Sequence, residues 1–328
     1  MAFTELKNVR GEDIGQQEGF ALVKACDKKI DKNRNPYLDM VLFDGETEFA
    51  SKFWDYDPTA GYEPKVNTIV KVRGVKGEYK NKPQFKVTRI RDITELDPVS
   101  KEDFIVHSRN TGEEMFSAIT AVVDGFSDPD LKRLTAAALT EFRDRIIELP
   151  AANKLHHAQL GGLLTHTLTM LRVAQALCGI YVSLDADLLF TGVILHDLEK
   201  SSEFVINDLG LVDSYSEKGK LLGHLFMGAR TVERIGKELG IDEEKLTLVE
   251  HMIISHHGIP EFGAVVRPLF LEAEVLSEID LLDAKIFEIE SATAELRPGE
   301  FSAKQWALDD RCFYRHGRKE VTTDVDIL

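Results

Sequence analysis

The periodicity of the apolar residues changes once along this chain, at Asp97–Pro98, and no single element can carry both patterns. Before that step the chain reads as β. The stretches FALVKACDKKI (20–30) and YLDMVLFD (37–44) have strand-like apolar content and alternation. An Asp44–Gly45 turn signal leads into ETEFASKFWD, as hairpins require. TIVKVRGV (68–75) and PQFKVTRIRDI (83–93) follow, joined by KGEYKNK. About five short strands in this space predict a small barrel or sandwich. From about residue 101 the spacing becomes mostly 3.6-like, as in DLKRLTAAALTEFRDRIIEL and LLTHTLTMLRVAQALCG. Asp128–Pro129 reads as a helix start and Gly179 as a helix end. The expectation is a multidomain β + all-α protein: a β domain over 1–97 and a helical domain over 98–328.

Charge divides the same way. The 328 residues carry 40 Lys and Arg against 56 Asp and Glu, a net charge of −16, which by itself argues against a nucleic-acid binder. Residues 1–92, however, hold 17 basic and 15 acidic side chains, net +2, and the rest of the chain is −18. The two parts are therefore expected to meet different partners. Cys26, Cys178 and Cys312 are odd in number and far apart, which excludes a disulfide framework and a thiolate zinc site. With no secretory h-region and no apolar run read as long enough to span a membrane, a cytoplasmic protein is expected.

Eight of the ten histidines lie between 156 and 257. His166 follows Gly161–Gly162, and His196–Asp197 closes an apolar helix in LLFTGVILHDLEK. His224, His256–His257 and Asp280 sit on further helices. A lone histidine on such a helix is usually a hydrogen-bonded structural residue, and His107 and His316 are read that way. Five ordered elements in one helical region point instead to a metal site. Imidazole nitrogen and carboxylate oxygen suit Mn, Fe, Co, Ni or Zn. Adjacent side chains diverge by about 100° on a helix, so Asp197 can bridge two ions while His196 holds one. Gly228, one turn after His224, is expected to leave room beside the backbone for a metal or phosphate. Paired divalent ions activate water and clamp a phosphoryl group during in-line displacement.

Lys65 to Arg91 contains nine basic residues and one acid, Glu78, with Tyr79 and Phe85 interleaved. Cations that track a backbone beside aromatic faces for bases are the usual single-strand surface. Arg73, Tyr79, Lys80, Lys82, Phe85 and Lys86 are the candidate nucleic-acid contacts, whereas Phe53 and Trp54 are placed in the barrel core. The competing reading is a solvated basic hairpin with Phe85 in the core.

The order His166…His196–Asp197…Asp280 resembles the HD-domain metal-dependent phosphohydrolases. ELPAANKLHHAQLGGLLTHTLTML, ILHDLEK, LLGHLFMG, ISHHGIPEFGAVVRP and EIDLLDAK resemble the YhaM-type 3′–5′ exoribonucleases more closely, over nearly the whole chain. The resemblance implies an N-terminal OB-fold followed by an HD domain. It implies that His166, His196, Asp197 and Asp280 hold one metal and that Asp197, His224, His256 and His257 hold a second. It favours Asp280 over Asp283 as the ligand. It implies Asp197 and Lys200 as catalytic residues, the Lys200 ammonium pairing with the scissile phosphate. Glu199 departs from the family pattern, where Gly is more usual, and an extra carboxylate there either weakens substrate binding or points away. His157 and His251 are left unassigned.

The expected function is a metal-dependent 3′–5′ exonuclease releasing nucleoside 5′-monophosphates from single-stranded RNA, with single-stranded DNA as a second substrate and no membrane partner. Two divalent ions per chain are expected, Mn²⁺ first, with Co²⁺, Fe²⁺, Mg²⁺ or Zn²⁺ admissible; a homo-oligomer is compatible. The rivals are an HD phosphohydrolase acting on nucleotides or cyclic dinucleotides, and a non-enzymatic single-stranded DNA-binding protein of replication.

Overall fold

Alternation in the first hundred residues closes a barrel. The computed structural model describes residues 16–59, 62–79, 82–105, 110–151, 160–207, 209–294 and 296–321. Strands β1 (Gln16–Ile30), β2 (Pro36–Phe43), β3 (Glu48–Phe53), β4 (Ile69–Tyr79) and β5 (Lys82–Asp92) pair in the order β1-β2-β3-β5-β4, and β4 returns to β1. All pairs are antiparallel except β3 with β5. Leu38, Met40 and Leu42 alternate inward along β2 and join Val23, Val70, Val72 and Val87 in one core. Closure leaves no unpaired edge for such a small sheet. Beyond the expected hairpin, β4 runs on to Tyr79 and β5 begins at Lys82, so these strands are longer than their apolar content predicts.

Two aromatic placements differ from expectation. Phe85 is not a base platform: it is fully buried and its ring meets Phe49 edge-on at 5.8 Å. Its alternation with the exposed Lys86 turns it inward, and Gly74 makes the space. A Cβ at Gly74 would lie 2.7 Å from the Phe85 ring and 2.4 Å from the Lys86 carbonyl oxygen. Trp54 is not in the core: it stays 37% exposed, just past the end of β3. It stacks on Tyr37 with ring centroids 4.4 Å apart and planes 28° apart.

The chain forms two compact units, Met1–Val106 and His107–Leu328. The second unit contains α1 (Gly112–Asp124), α2 (Pro129–Ile146), α3 (Gly162–Ile180), α4 (Ala186–Leu195), the short α5 (Lys200–Glu203), α6 (Glu217–Leu239), α7 (Glu243–Ser255) and α8 (Leu271–Thr293). Asp128 caps α2 as its sequence predicts, accepting from the amides of Asp130 and Leu131, with Pro129 following. Helix α3 ends one residue past Gly179. The helical reading misses a small hairpin, β6 (Phe204–Ile206) and β7 (Val212–Tyr215), between α5 and α6.

Helix α3 packs against α1, α4 and α8, and α4 against α2, α7 and α8, around a core that includes Leu163, Leu171, Leu189, Val193, Ile253 and Leu276. Contrary to the sequence reading, α3 is long and apolar enough to cross a membrane by length and composition. Its burial against three helices, with His166 inside, identifies it as the central core helix.

The Gly74–Phe85 contact gives a direct test. Gly74→Ala is expected to destabilise the barrel by ~1–3 kcal/mol through overpacking. Native-state hydrogen exchange of barrel amides would report the loss; unchanged protection there would refute the close approach.

Candidate metal centre

Four imidazoles converge on one carboxylate, and a fifth, His257, joins two of them, because helix ends place them there. His166 lies in the second turn of α3, and His196 and His256 cap the C-termini of α4 and α7. Asp197 and His257 directly follow those caps, and Asp280 and Asp283 share one face of α8, one turn apart. His224 depends on a break in α6. Gly223 has φ 70° and ψ 157°, a conformation open essentially to glycine alone. Immediately after it, the His224 amide and Nδ1 both reach the Glu203 carboxylate, at 3.3 and 2.8 Å.

The two oxygens of buried Asp197 face different partners. Oδ2 lies 3.1 Å from His196 Nε2, 4.0 Å from His166 Nε2 and 2.7 Å from Lys200 Nζ. Oδ1 lies 3.3 Å from His224 Nε2 and 3.8 Å from His256 Nε2. Among the described residues, three groups of side chains are spaced to hold a metal ion: His166, His196 and Asp197; His224, His256 and His257; and His196, His256 and Asp280.

Every ring is oriented through its other nitrogen. Nδ1 lies 2.9 Å from the Val193 carbonyl oxygen in His196, 2.7 Å from that of Ile253 in His256, and 2.9 Å from that of Phe262 in His257. A carbonyl only accepts, so each of these rings donates from Nδ1 and turns the Nε2 lone pair to the centre. His166 and His224 are held in the same way by the carboxylates of Asp283 and Glu203, at 2.7 and 2.8 Å. Asp280 and Asp283, competitors in sequence, thus take opposite nitrogens of His166: Asp280 lies 3.2 Å from Nε2, and Asp283 holds Nδ1.

Charge follows from this packing. Burial penalises ionised Asp197, but His196 and Lys200 beside it overcome that and hold its carboxyl well below the usual range. Burial opposes charge on His166 as well, yet Asp280 and Asp283 lift its imidazole to about 10, so a metal ion bound at this ring displaces a proton. Burial, reinforced by neighbouring imidazoles, pushes His256 and His257 down, keeping them neutral as metal ligands must be. Lys200 is no solvated helix-end lysine: it is buried, and Asp197 outweighs the burial and raises its ammonium.

A cation fits these residues. Nε2 of His196, His224 and His256 and Oδ1 of Asp197 are buried and make no hydrogen bond of acceptable geometry. Each such atom costs ~1–3 kcal/mol when left unsatisfied, and a set of converging lone pairs is what a divalent ion satisfies.

The HD domain family matches residues 163–285, which contain every one of these residues. The TraI_2 family matches residues 97–187. The 3′–5′ exoribonuclease YhaM of Shouchella clausii (strain KSM-K16) is 35% identical over 311 residues, covering 94% of this chain and 96% of that protein. The 3′–5′ exoribonuclease YhaM of Geobacillus sp. (strain WCH70) is 37% identical over 313 residues, covering 94% and 95%. The chain belongs to the YhaM 3′–5′ exoribonuclease family. It is an enzyme, a hydrolase whose HD domain binds divalent metal, which removes the non-enzymatic alternative. A solved structure of a replication protein A heterotrimer bound to ssDNA covers 26% of this chain and 62% of its own, at 19% identity and a TM-score of 0.22.

Other expectations are corrected by contacts. Gly228 makes no room for a ligand: a Cβ there would meet Ile253 Cγ2 at 3.0 Å, so the glycine serves the packing of α6 on α7. Glu199 accepts a hydrogen bond from Thr231 at 2.6 Å. His251 accepts from the Leu269 amide at 3.0 Å. His107, His157 and Lys80 lie outside the described residues, as do the side chains of Tyr79 and Lys82. Glu203 was missed, because nothing local links it to a histidine 21 residues away.

Glu203→Gln keeps the shape and removes the charge that orients His224. Divalent-metal affinity, measured by calorimetric titration of the metal-stripped chain, is expected to fall about 10-fold or more. An unchanged affinity would show that His224 needs no such support.

Proposed function

We propose that this chain is a 3′–5′ exonuclease that shortens single-stranded RNA and releases nucleoside 5′-monophosphates, the barrel binding the strand and the helical unit hydrolysing it. The observation that carries the hydrolytic half is Asp197, whose two oxygens face separate sets of histidines. The naming of both relatives as 3′–5′ exoribonucleases supports the direction and the substrate.

In this reading His166, His196, Asp197 and Asp280 hold one ion and Asp197, His224, His256 and His257 the other, Mn²⁺ being the first to test. Once bound, the ions supply Lewis-acid polarisation of the phosphodiester and of the attacking water. The chain's own residues do the rest. The Val193 and Ile253 carbonyls fix which nitrogen of His196 and His256 faces the centre. Lys200, held cationic by Asp197, offers charge to a phosphoryl oxygen. Glu199 is engaged by Thr231 at 2.6 Å.

On the barrel, the basic hairpin contributes less than its sequence suggests. Glu18 engages Lys71 at 2.8 Å and Arg73 at 2.6 Å, and Phe85 is buried. Lys86 and Arg89 remain exposed on β5. The Tyr37–Trp54 pair is the better stacking platform, with Lys52 Nζ 4.9 Å and 5.5 Å from the two ring centroids. Aromatic faces beside cations bind single strands without regard to sequence.

Two results are expected. Asp197→Ala abolishes release of mononucleotides from 5′-labelled single-stranded RNA with Mn²⁺, while strand affinity changes little; near wild-type turnover would overturn the site. Folding of this variant is verified by circular dichroism first. Trp54→Ala costs ~1–3 kcal/mol of affinity with little change in salt dependence, whereas neutralising Lys86 lowers the salt slope by ~0.7. Oligonucleotide affinities from low to high salt separate the two, and an unmoved Trp54→Ala affinity would remove the platform. A preference for cyclic dinucleotides over RNA would favour the nucleotide phosphohydrolase instead.

A further inference from the structure

Beyond α8 the chain folds into a hairpin that the metal centre does not use. Phe301 pairs with Tyr314 and Gln305 with Arg311 across it. The turn runs through Asp309 and Asp310, both at positive φ, and closes with the Arg311 amide donating to Leu308 O at 3.2 Å. The base is anchored by Arg315, buried and donating to the carbonyls of His316 and Lys319 at 3.0 and 2.6 Å. Ser302 ties the two arms: its Oγ accepts from the Phe313 amide at 2.9 Å.

This frame holds aromatic rings in solvent. Trp306 is 75% exposed, Phe301 65% and Tyr314 53%, and the Phe301 and Tyr314 ring centroids are 5.1 Å apart. Large apolar rings exposed on a hydrogen-bonded frame mark a binding surface. The local charge says of what kind. Residues 93–295 hold 17 basic and 35 acidic side chains, whereas the described residues 296–321 hold six basic and four acidic. Arg297, Lys304, Arg311, Arg318 and Lys319 are all exposed. Cores of protein–protein interfaces are depleted in charge, Lys especially. Here rings and cations alternate along the chain, which is the composition of a single-strand contact.

We infer that the 296–319 hairpin is a second single-strand contact, carried by the hydrolytic unit itself, on which bases stack against Trp306, Phe301 and Tyr314 while the flanking cations meet phosphates. The inference rests on the single-strand exonuclease reading above. Its place in the fold gives it a range. Helix α8 runs from Asp280 at the metal centre to Thr293, just before the hairpin. At 1.5 Å per residue that is ~20 Å, or about six nucleotides at 3.4 Å each in a stacked strand. The hairpin therefore acts on strands longer than this and is silent on dinucleotides.

Trp54 and Trp306 are the chain's two tryptophans, so Trp306 is the sole source of tryptophan fluorescence in full-length Trp54→Phe. In excess chelator, a 20-nucleotide single-stranded RNA is expected to quench that fluorescence and a dinucleotide to leave it unchanged. In the otherwise wild-type chain with Mn²⁺, Trp306→Ala combined with Tyr314→Ala is expected to raise KM for the 20-mer about tenfold. Both kcat and turnover of bis(p-nitrophenyl) phosphate stay unchanged, and restoring an aromatic ring as Trp306→Phe recovers KM. Unquenched Trp306 together with an unchanged KM, in a protein that degrades the 20-mer, overturns the hairpin contact and leaves the exonuclease reading standing. Loss of bis(p-nitrophenyl) phosphate turnover in the variant assigns the hairpin a structural role and also overturns the proposal. A change in solution mass without a change in KM makes it a surface between copies of this chain, with the same consequence. A wild-type protein that hydrolyses the small diester but no single strand defeats the exonuclease reading itself.

Discussion

The buried carboxylate of Asp197 is the interaction on which the helical unit turns. Burying a carboxylate is costly unless it is paired. Here the compensation comes from His196, Lys200 and His224, drawn from three segments of the chain. Each must arrive with its nitrogen pointed inward, which dictates where α4 ends, where α5 begins and where α6 breaks. Apolar packing around α3 and α4 stabilises the unit, but the packing alone would not require helix ends to meet at this point.

The supports are as specific as the ligating atoms they orient. Two of the five imidazoles are aligned by carboxylates and three by backbone carbonyls freed at helix or turn ends. A helix C-terminus leaves its last carbonyls without intrahelical partners. A histidine placed at the cap can take one such carbonyl with Nδ1, which directs Nε2 away from the helix. His196 and His256 both use this device, each bonded to the carbonyl three residues earlier. Gly223 performs the corresponding task for His224 by interrupting α6, so that the His224 amide and Nδ1 both reach the Glu203 carboxylate.

The barrel shows how alternation redistributes a basic sequence. Along β4 and β5 every second residue turns inward, so aromatic and cationic residues adjacent in sequence separate onto opposite faces. Phe85 goes to the core while Lys86 goes to solvent. Part of the charge is then consumed within the barrel, where Glu18 on β1 lies across from Arg73 in register and engages both it and Lys71. The stacked aromatic pair arises elsewhere, from β2 and just past the end of β3, where the half-buried Tyr37 meets the exposed Trp54 although 17 residues apart.

Much was legible in the sequence, because the features concerned are local. Period-two alternation up to Asp92 determined five strands, 3.6 periodicity determined the helices, and the Asp128–Pro129 pair determined the start of α2. The residue types His166, His196–Asp197, His224, His256–His257 and Asp280 determined the donor chemistry of the centre, since imidazole and carboxylate are the same ligands wherever the chain carries them. What the sequence could not decide was which of two like residues faces which way. Asp280 and Asp283 differ only in the nitrogen of His166 they reach, Gly228 is packed by Ile253 on another helix, and Glu203 meets a histidine 21 residues away. Those choices belong to the tertiary structure, because they depend on distances between helices that only the packed core sets.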